Sequence, residues 1–227
     1  MGMPISINIP DCSNASIFEH ADTLLTRIDN LYSPYKLSSE VSKIARGEQT
    51  IDHAGKELQS ILRIAETYER KTNGYFSVFY DNVFNPSGIV KSWAIKQLEN
   101  LLQKEGCYVY MINAAGDIAC RSHESNYWNI GITDPRDTTK TIGTITADTV
   151  AVATSGTYQK GNHIYNPKTK KPTDDLISVT VVGMDIIACD VYATALFAMG
   201  YSAAKFAGRL TNYHCYIIDK NNLLVTA

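Results

Sequence analysis

Hydrophobic residues recur at helical spacing three times in the first half of the chain. Residues three or four positions apart share one face of a helix, so each stripe predicts an amphipathic helix with one buried face. A short alternating segment at residues 4–9 precedes the stripes and predicts a β-strand. The three predicted helices contain residues 18–28, 58–68 and 93–102.

From Gly106 onward the pattern changes to short segments rich in β-branched and aromatic residues, which predict strands. Two apolar segments, 189–199 and 203–210, interrupt them and predict late helices. Helices first and strands afterwards indicate an α+β fold rather than a doubly wound sheet. The predicted strands are 108–112, 118–121, 128–132, 141–147, 151–154, 177–182, 213–218 and 223–225.

Composition narrows the class of protein only slightly. The chain has 227 residues, 44% of them hydrophobic, which is enough for one domain spanning 1–227. The formal charge of −2 gives no reason to expect nucleic-acid binding. Five cysteines without a CxxC spacing indicate free thiols rather than a zinc site or a disulfide framework. No signal peptide or membrane-spanning run is apparent, so we expect a cytoplasmic protein without a transmembrane segment.

Asp190 and Thr194 are the first candidates for chemistry. They are four residues apart in a predicted helix and therefore share one face. A carboxylate and a hydroxyl on one face are hard oxygen ligands that suit Mg²⁺. The alternative is that Asp190 caps the helix and Thr194 bonds back to its own backbone.

The segment Thr154-Ser155-Gly156 and the nearby His163 form a second candidate. A predicted strand ends at Thr154 in what reads as a small, hydroxyl-rich turn, which could bind phosphate or be an ordinary polar turn. His163 lies between this segment and the Asp190 pair in sequence, so it is the best general base on offer.

Residues 113–117 and Lys91 are weaker candidates. Asn113 to Asp117 predicts a hairpin turn, and Lys91 could neutralise a phosphate or be a solvated helix residue. Dinucleotide and P-loop glycine motifs are absent from the sequence, as are the GxSxG and HExxH motifs of common hydrolases.

The order of these segments resembles that of the ApbE family of FAD:protein FMN transferases. The resemblance runs nearly end to end, and its most specific parts are the Thr154-Ser155-Gly156 to His163 run and the D-x-x-x-T-A start at Asp190. The matching segments are residues 1–4, 33–35, 39–42, 74–78, 86–94, 113–117, 154–156, 163–167, 178–181 and 188–196.

The resemblance implies an α+β fold with a mixed or antiparallel sheet packed against helices. It also implies a Mg²⁺ site formed by Gly88, Asp190 and Thr194, with His163 and Asp190 as catalytic residues. FAD would be the substrate, and FMN would pass to a Thr or Ser of a partner flavoprotein with the motif D-x-x-[ST]-[GA]-A-T. The implied flavin-binding residues are Met1, Tyr35, Glu40, Phe76, Ser77, Asn85, Lys91, Asn113, Gly116, Asp117, Thr154, Ser155, Gly156, His163 and Ala193.

Several positions depart from the family pattern, and the segment before Pro86 is short for the family. Two other activities therefore stay open: a Mg²⁺-dependent FAD pyrophosphatase and a non-catalytic FAD-binding module. The chain's own near match to the acceptor motif has Ala151 at the acceptor position, so we expect no self-flavinylation there. The departing residues are Met3, Ser77, Asn85, Ser92, Ala115 and Asn166.

Overall fold

The computed structural model describes residues 2–12, 14–125, 127–157, 164–221 and 223–227. Within these ranges the chain forms six α-helices, most of them in its first half. The helices are α1 Ser16–Tyr32, α2 Glu40–Ala45, α3 Lys56–Lys71, α4 Ser87–Lys104, α5 Ile186–Met199 and α6 Ala203–Ala207. The three amphipathic helices predicted from the sequence are confirmed as α1, α3 and α4.

Seven strands form an antiparallel sheet in the order β1-β4-β5-β8-β11-β12-β13. This architecture confirms the predicted α+β class. The sheet strands are β1 Ile5–Asn8, β4 Tyr110–Ala114, β5 Asp117–Arg121, β8 Val150–Gly156, β11 Leu176–Gly183, β12 His214–Asp219 and β13 Leu224–Thr226. The remaining strands pair as hairpins: β2 Phe79–Tyr80 with β3 Val83–Phe84, β6 Trp128–Asp134 with β7 Asp137–Ala147, and β9 Tyr165–Asn166 with β10 Lys171–Pro172.

The two faces of the sheet are covered differently. Successive strand residues point to opposite faces, so Ala151 and Ala153 of β8 pack toward the helices. Val150 and Val152 belong to a separate cluster with Trp128 of the β6–β7 hairpin. The helices cover one face, and this hairpin covers part of the other.

Helix α5 is the central helix of the helical layer. Thirteen of its fourteen residues are buried, and it packs against β8, β11 and α4. The stretch Ile186–Ala207 is long and apolar enough to cross a membrane, contrary to the expectation that no run has that length. However, 83% of its apolar window is buried inside the fold, which is the environment of a core helix.

Two local expectations were wrong, and several short elements were missed. Helix α5 begins at Ile186, not at residue 189, because Asp185 caps it by accepting hydrogen bonds from the Ile187 and Ala188 N–H groups. The α1 stripe is shifted: Ile17 is buried, whereas Phe18 is 51% exposed. Helix α2 and two of the hairpins were not predicted, because segments of two to six residues carry too little periodicity.

Candidate functional site

A cavity of about 610 Å³ opens where the start of α4, the middle of α5 and the end of β8 meet. The loop after α1 and the β9 strand close its other sides. It is large enough to hold a substantial part of a cofactor-sized ligand. Its lining includes Gly88, Lys91, Thr154, Ser155, Asp190 and Thr194.

Asp190 lies in the second turn of α5 and is only 6% exposed. Because Asp185 is the cap of this helix, the interpretation of Asp190 as a helix cap is wrong. Among the described residues, the Asp190 Oδ2 atom has no hydrogen-bond partner, although it is buried. A buried carboxylate oxygen of this kind is costly unless a cation or a donor satisfies it.

Thr194 follows one helical turn later on the same face of α5, and Ser155 faces it from β8. The Ser155 and Thr194 hydroxyl oxygens lie 3.2 Å apart. The carboxylate and two hydroxyls therefore line the cavity from adjacent elements. This arrangement brings together the helix pair and part of the Thr154-Ser155-Gly156 segment, as the sequence order suggested.

Two further charges complete the cluster. Lys91 of α4 forms an ion pair with Asp117, whose side chain is 1% exposed. Burial and the Asp117 charge raise the pKa of Asp190 to about 7, against the opposing effects of Lys91 and Ser92. Burial alone would lower the pKa of Lys91, but the two carboxylates overcome that effect and its pKa is raised. With all three groups ionised, the cluster has one excess negative charge.

The start of α4 places Gly88 at the cavity. Asn85 holds this helix end, since its Oδ1 accepts a hydrogen bond of 3.1 Å from the Ser87 N–H. A Cβ on Gly88 would lie 3.5 Å from the ring of Phe76, which is ordinary packing contact. Phe76 is buried behind this wall and does not itself line the cavity.

Residues Thr154, Ser155 and Gly156 are not a turn, which corrects the sequence interpretation. They form the end of β8, with backbone paired to β11 opposite Thr180, Val179 and Ser178. The Thr154 hydroxyl bonds that of Thr180 at 2.9 Å, so the Ser155 hydroxyl is the one that faces α5. A phosphate here would meet side-chain hydroxyls rather than a loop of free N–H groups.

The Asn113 to Asp117 segment is a hairpin turn, as predicted. Ala115 and Gly116 have φ of 51° and 96°, and the Asn113 Oδ1 accepts the Gly116 N–H at 2.9 Å. The side chain of Asn113 thus holds the turn, and Ala115 is the turn residue that lines the cavity. Asp117 accepts from the Thr154 N–H at 3.3 Å and so ties this turn to β8.

Of the remaining expected site residues, some line the cavity and others do not. Tyr35, which is 89% exposed, and Ser77 lie at the cavity. Glu40 does not line it; its Oε1 accepts the Gly55 N–H at 2.6 Å and thus orders the loop before α3. Ala193 is fully buried in α5. Met1 and His163 lie outside the described residues.

Sequence reasoning missed two groups of residues at this site. Ser92 was noted only as a departure from the family pattern, yet it opposes the rise in the pKa of Asp190, while its hydroxyl donates to the Ile89 carbonyl at 3.2 Å. Tyr75, Phe79 and Tyr165 add aromatic surface to the cavity. The available signal was the high tyrosine content, 14 of 227 residues, but it does not indicate which tyrosines converge.

The donor set fits a hard divalent cation. It offers one orphaned carboxylate oxygen, nearby hydroxyls and excess negative charge, all of which suit Mg²⁺. Across the described ranges, no group of three or more His, Cys, Asp or Glu side chains is placed to hold a metal. A cation at this site would therefore need hydroxyl, main-chain or ligand oxygens in addition to Asp190.

Comparison with known families decides the relationship. The profile of the ApbE family matches residues 1–85 and 82–217, which is most of the chain. This chain belongs to the ApbE family. Two relatives, each named FAD:protein FMN transferase, come from Buchnera aphidicola. The protein of the subspecies Schizaphis graminum is 30% identical over 63% of this chain, and that of the subspecies Baizongia pistaciae is 33% identical over 60%.

The matched region spans less than half of those relatives, 45% and 43% of their lengths. Solved structures of the family match more completely. The ApbE protein of Thermotoga maritima superposes with a TM-score of 0.84 at 21% identity, covering all of this chain and 94% of that one. The flavin transferase ApbE of Vibrio cholerae gives 0.82 at 20% identity, with coverage of 100% and 94%. These superpositions establish that the chain has the fold of ApbE structures.

Proposed function

We propose that this protein is an FAD:protein FMN transferase, which moves FMN from FAD to a Thr or Ser hydroxyl of a partner flavoprotein and releases AMP. Family membership and the names of the curated relatives support the reaction class. The observation that carries the proposal to this site is the buried, unsatisfied Oδ2 of Asp190 at a cavity of cofactor size.

Asp190, Thr194 and the Gly88 carbonyl would hold one Mg²⁺. Gly88 lines the cavity at the start of α4, together with Asp190 and Thr194 of α5, which would supply the other two ligands. When bound, the cation would offset the charge that develops on the FAD pyrophosphate.

The other groups act on the pyrophosphate and on the acceptor. Lys91, held by Asp117 at the cavity wall, supplies a fixed positive charge, and the Ser155 hydroxyl supplies a donor. His163 would take the proton from the acceptor hydroxyl, whose oxygen attacks the phosphorus on the FMN side while AMP leaves. The aromatic residues Tyr75, Phe79 and Tyr165 give the flavin or adenine ring apolar surface.

The test uses the purified chain, FAD, Mg²⁺ and an acceptor protein with one D-x-x-T-[GA]-A-T motif. We expect covalent flavin fluorescence on the acceptor in a denaturing gel and one AMP per flavin transferred. Asp190→Asn should lower the rate by about 100-fold or more, because the neutral amide would no longer hold the cation that offsets charge on the pyrophosphate. Asp22→Asn, the same change at an exposed position of α1, should leave the rate unchanged.

A second activity is separated by the same assay. A pyrophosphatase would use water in place of the acceptor hydroxyl and would release AMP equally with a Thr→Val acceptor. AMP without labelled acceptor would therefore favour hydrolysis, and the absence of both products would favour a non-catalytic FAD-binding module.

Ala151 is 3% exposed within β8, which supports the expectation that the chain does not label itself there. A gain of one FMN in the intact mass would contradict it.

A further inference from the structure

Two of the five cysteines lie on neighbouring segments outside the cavity. Cys12 follows β1, Cys107 precedes β4, which pairs with β1, and the Cys12 side chain contributes to a raised pKa of the Cys107 thiol. The two residues are distant in sequence, so the fold itself brings them together. Both are free thiols, and both pack on the main core of the protein.

The backbone around this pair is held in place independently of the sulfur atoms. The Asp11 carboxylate accepts the N–H groups of Tyr108 and Val109 at 3.3 and 3.1 Å. Asp11, the residue before Cys12, is thus hydrogen-bonded to the two residues that follow Cys107. Such fixing restricts the relative movement of the two thiols and keeps them close.

The two thiols differ in access, which suits stepwise oxidation. Cys12 is partly exposed, whereas Cys107 is 2% exposed. Burial and the neighbouring Cys12 raise the pKa of Cys107 to about 12, so Cys107 is a poor first nucleophile. An oxidant in solution would therefore meet Cys12 first.

We infer that Cys12 and Cys107 form a thiol–disulfide site, in which oxidation joins the segment after β1 to the segment before β4. With a small disulfide such as oxidised glutathione, the Cys12 thiolate attacks one sulfur and releases the first glutathione thiolate. The Cys107 sulfur, after losing its proton, then attacks the Cys12 sulfur and releases the second. Two protein thiols lose two electrons and two protons, and one glutathione disulfide becomes two thiols.

A disulfide between Cys12 and Cys107 would act mainly on β1. This strand is an edge of the sheet and pairs only with β4 among the described strands. Gly2 and Met3, just before it, line the cavity, whereas Cys12 lies beyond its other end. A cross-link at Cys12 would therefore restrain the edge strand that carries these two cavity residues.

The test begins with the reduced full chain, incubated with oxidised glutathione at about pH 8, near the ordinary pKa of a thiol. Remaining thiols are then labelled with a maleimide mass tag under denaturing conditions. We expect three tags instead of the five of the reduced protein, and a peptide pair that joins Cys12 to Cys107. The oxidised form should unfold roughly 5–10 °C higher and show slower amide exchange in Ile5–Asn8.

Variants separate this site from general oxidation. Cys107→Ser should stop at a glutathione adduct on Cys12, and Cys12→Ser should keep all four remaining thiols free. Cys215→Ser is the matched control, because Cys215 is as buried as Cys107 and also influences the pKa of a second cysteine, Cys189. It should still form the Cys12–Cys107 bond.

Three outcomes would overturn the inference. One is five tags on the oxidised wild type, a result that does not depend on whether any variant folds. The second is a lasting glutathione adduct on wild-type Cys12, which would mean that Cys107 cannot reach it. The third is a disulfide between Cys189 and Cys215 in place of the expected one.

Discussion

Ion pairs on the two sides of the central sheet illustrate two uses of charge. On the helical side, Lys91 pairs with the buried Asp117 beside the buried Asp190. On the other side, Arg136 and Asp134 pair at the exposed turn of the β6–β7 hairpin, with their closest atoms 2.6 Å apart. The contact at the hairpin is short as well, but the Arg136 side chain is 38% exposed, so water screens the pair.

Burial rather than distance therefore decides what each pair contributes. At the hairpin, hydrogen bonds from Arg136 lower the pKa of Asp134 to about 2. At the cluster, burial is the largest influence on Asp190 and raises its pKa. The Arg27–Glu57–Tyr32 group is intermediate, because its ion pair is exposed but Tyr32 is 3% exposed. Substitutions at the three places should give graded effects.

The largest effect is expected for Lys91→Met, measured by denaturant unfolding without metal or FAD. Removing the ammonium leaves Asp117 and Asp190 together in a buried site, which should cost about 3 kcal/mol of unfolding free energy. Methionine keeps most of the aliphatic stem, so the loss reports on charge rather than on packing.

Lys96→Met is the matched control, since Lys96 is on the same helix and pairs with Glu99 at 3.2 Å but is 38% exposed. It should change stability by less than ~0.5 kcal/mol. If Lys91→Met proves equally mild, Lys91 does not compensate the two carboxylates as the structure suggests.

A smaller effect is expected for Tyr32→Phe. The Tyr32 hydroxyl donates to the Glu57 Oε2 at 2.5 Å, and its ring packs edge-on against Trp93. Loss of the hydroxyl removes one hydrogen bond to a charged acceptor but keeps the ring, so stability should fall by about 1 kcal/mol. Tyr201→Phe, at a tyrosine that is 55% exposed, should have no measurable effect. Equal effects at both positions would show that the Glu57 contact contributes nothing.

The sequence predicted the helices and strands of this protein better than the details of its candidate site. The stripe of α3 and the strand segments have strong periodicity, so the burial of Leu58 or the pairing of β8 with a neighbouring strand could be anticipated. The sequence could not show that Thr154 to Gly156 continue a strand, because small hydroxyl residues suit both turns and strands. The start of α5 was predicted too late for a similar reason. Asp185 and Asp190 are both aspartates that suit a helix cap, and the true cap, Asp185, lies five residues earlier.

Contacts between distant segments were beyond any local pattern. Nothing near Lys91 in sequence indicates that its partner is Asp117 on the next hairpin, or that Ser92 influences the pKa of Asp190. Order along the chain, compared with the family, grouped several of these residues correctly at the cavity. It did not separate cavity residues such as Ser77 from supporting ones such as Glu40, because both kinds occur in the same motifs.

The pH dependence of the intermediate group should be weaker still. Hydrogen bonds from Arg27 lower the pKa of Glu57 below its ordinary value of 4.5, although burial opposes them. Since the folded-state pKa is the lower one, this stabilisation is complete above 4.5 and is lost as the pH falls through the folded value. The stability difference between wild type and Glu57→Gln should therefore shrink below pH 4.5. A difference that grows on acidification would contradict this sign.

The smallest effect is expected for Arg136→Ala at the hairpin turn. Asp134 would lose its side-chain partner, but its Oδ1 would still accept the backbone N–H of residue 136 at 3.0 Å, and water would solvate the carboxylate. Thermal unfolding at neutral pH should not change measurably, either at low salt or at high salt, where screening is strong. A clear loss of stability here, comparable to that of Lys91→Met, would mean that contact geometry outweighs burial in this protein. It would remove the physical basis for treating the Asp190 cluster as the exceptional site.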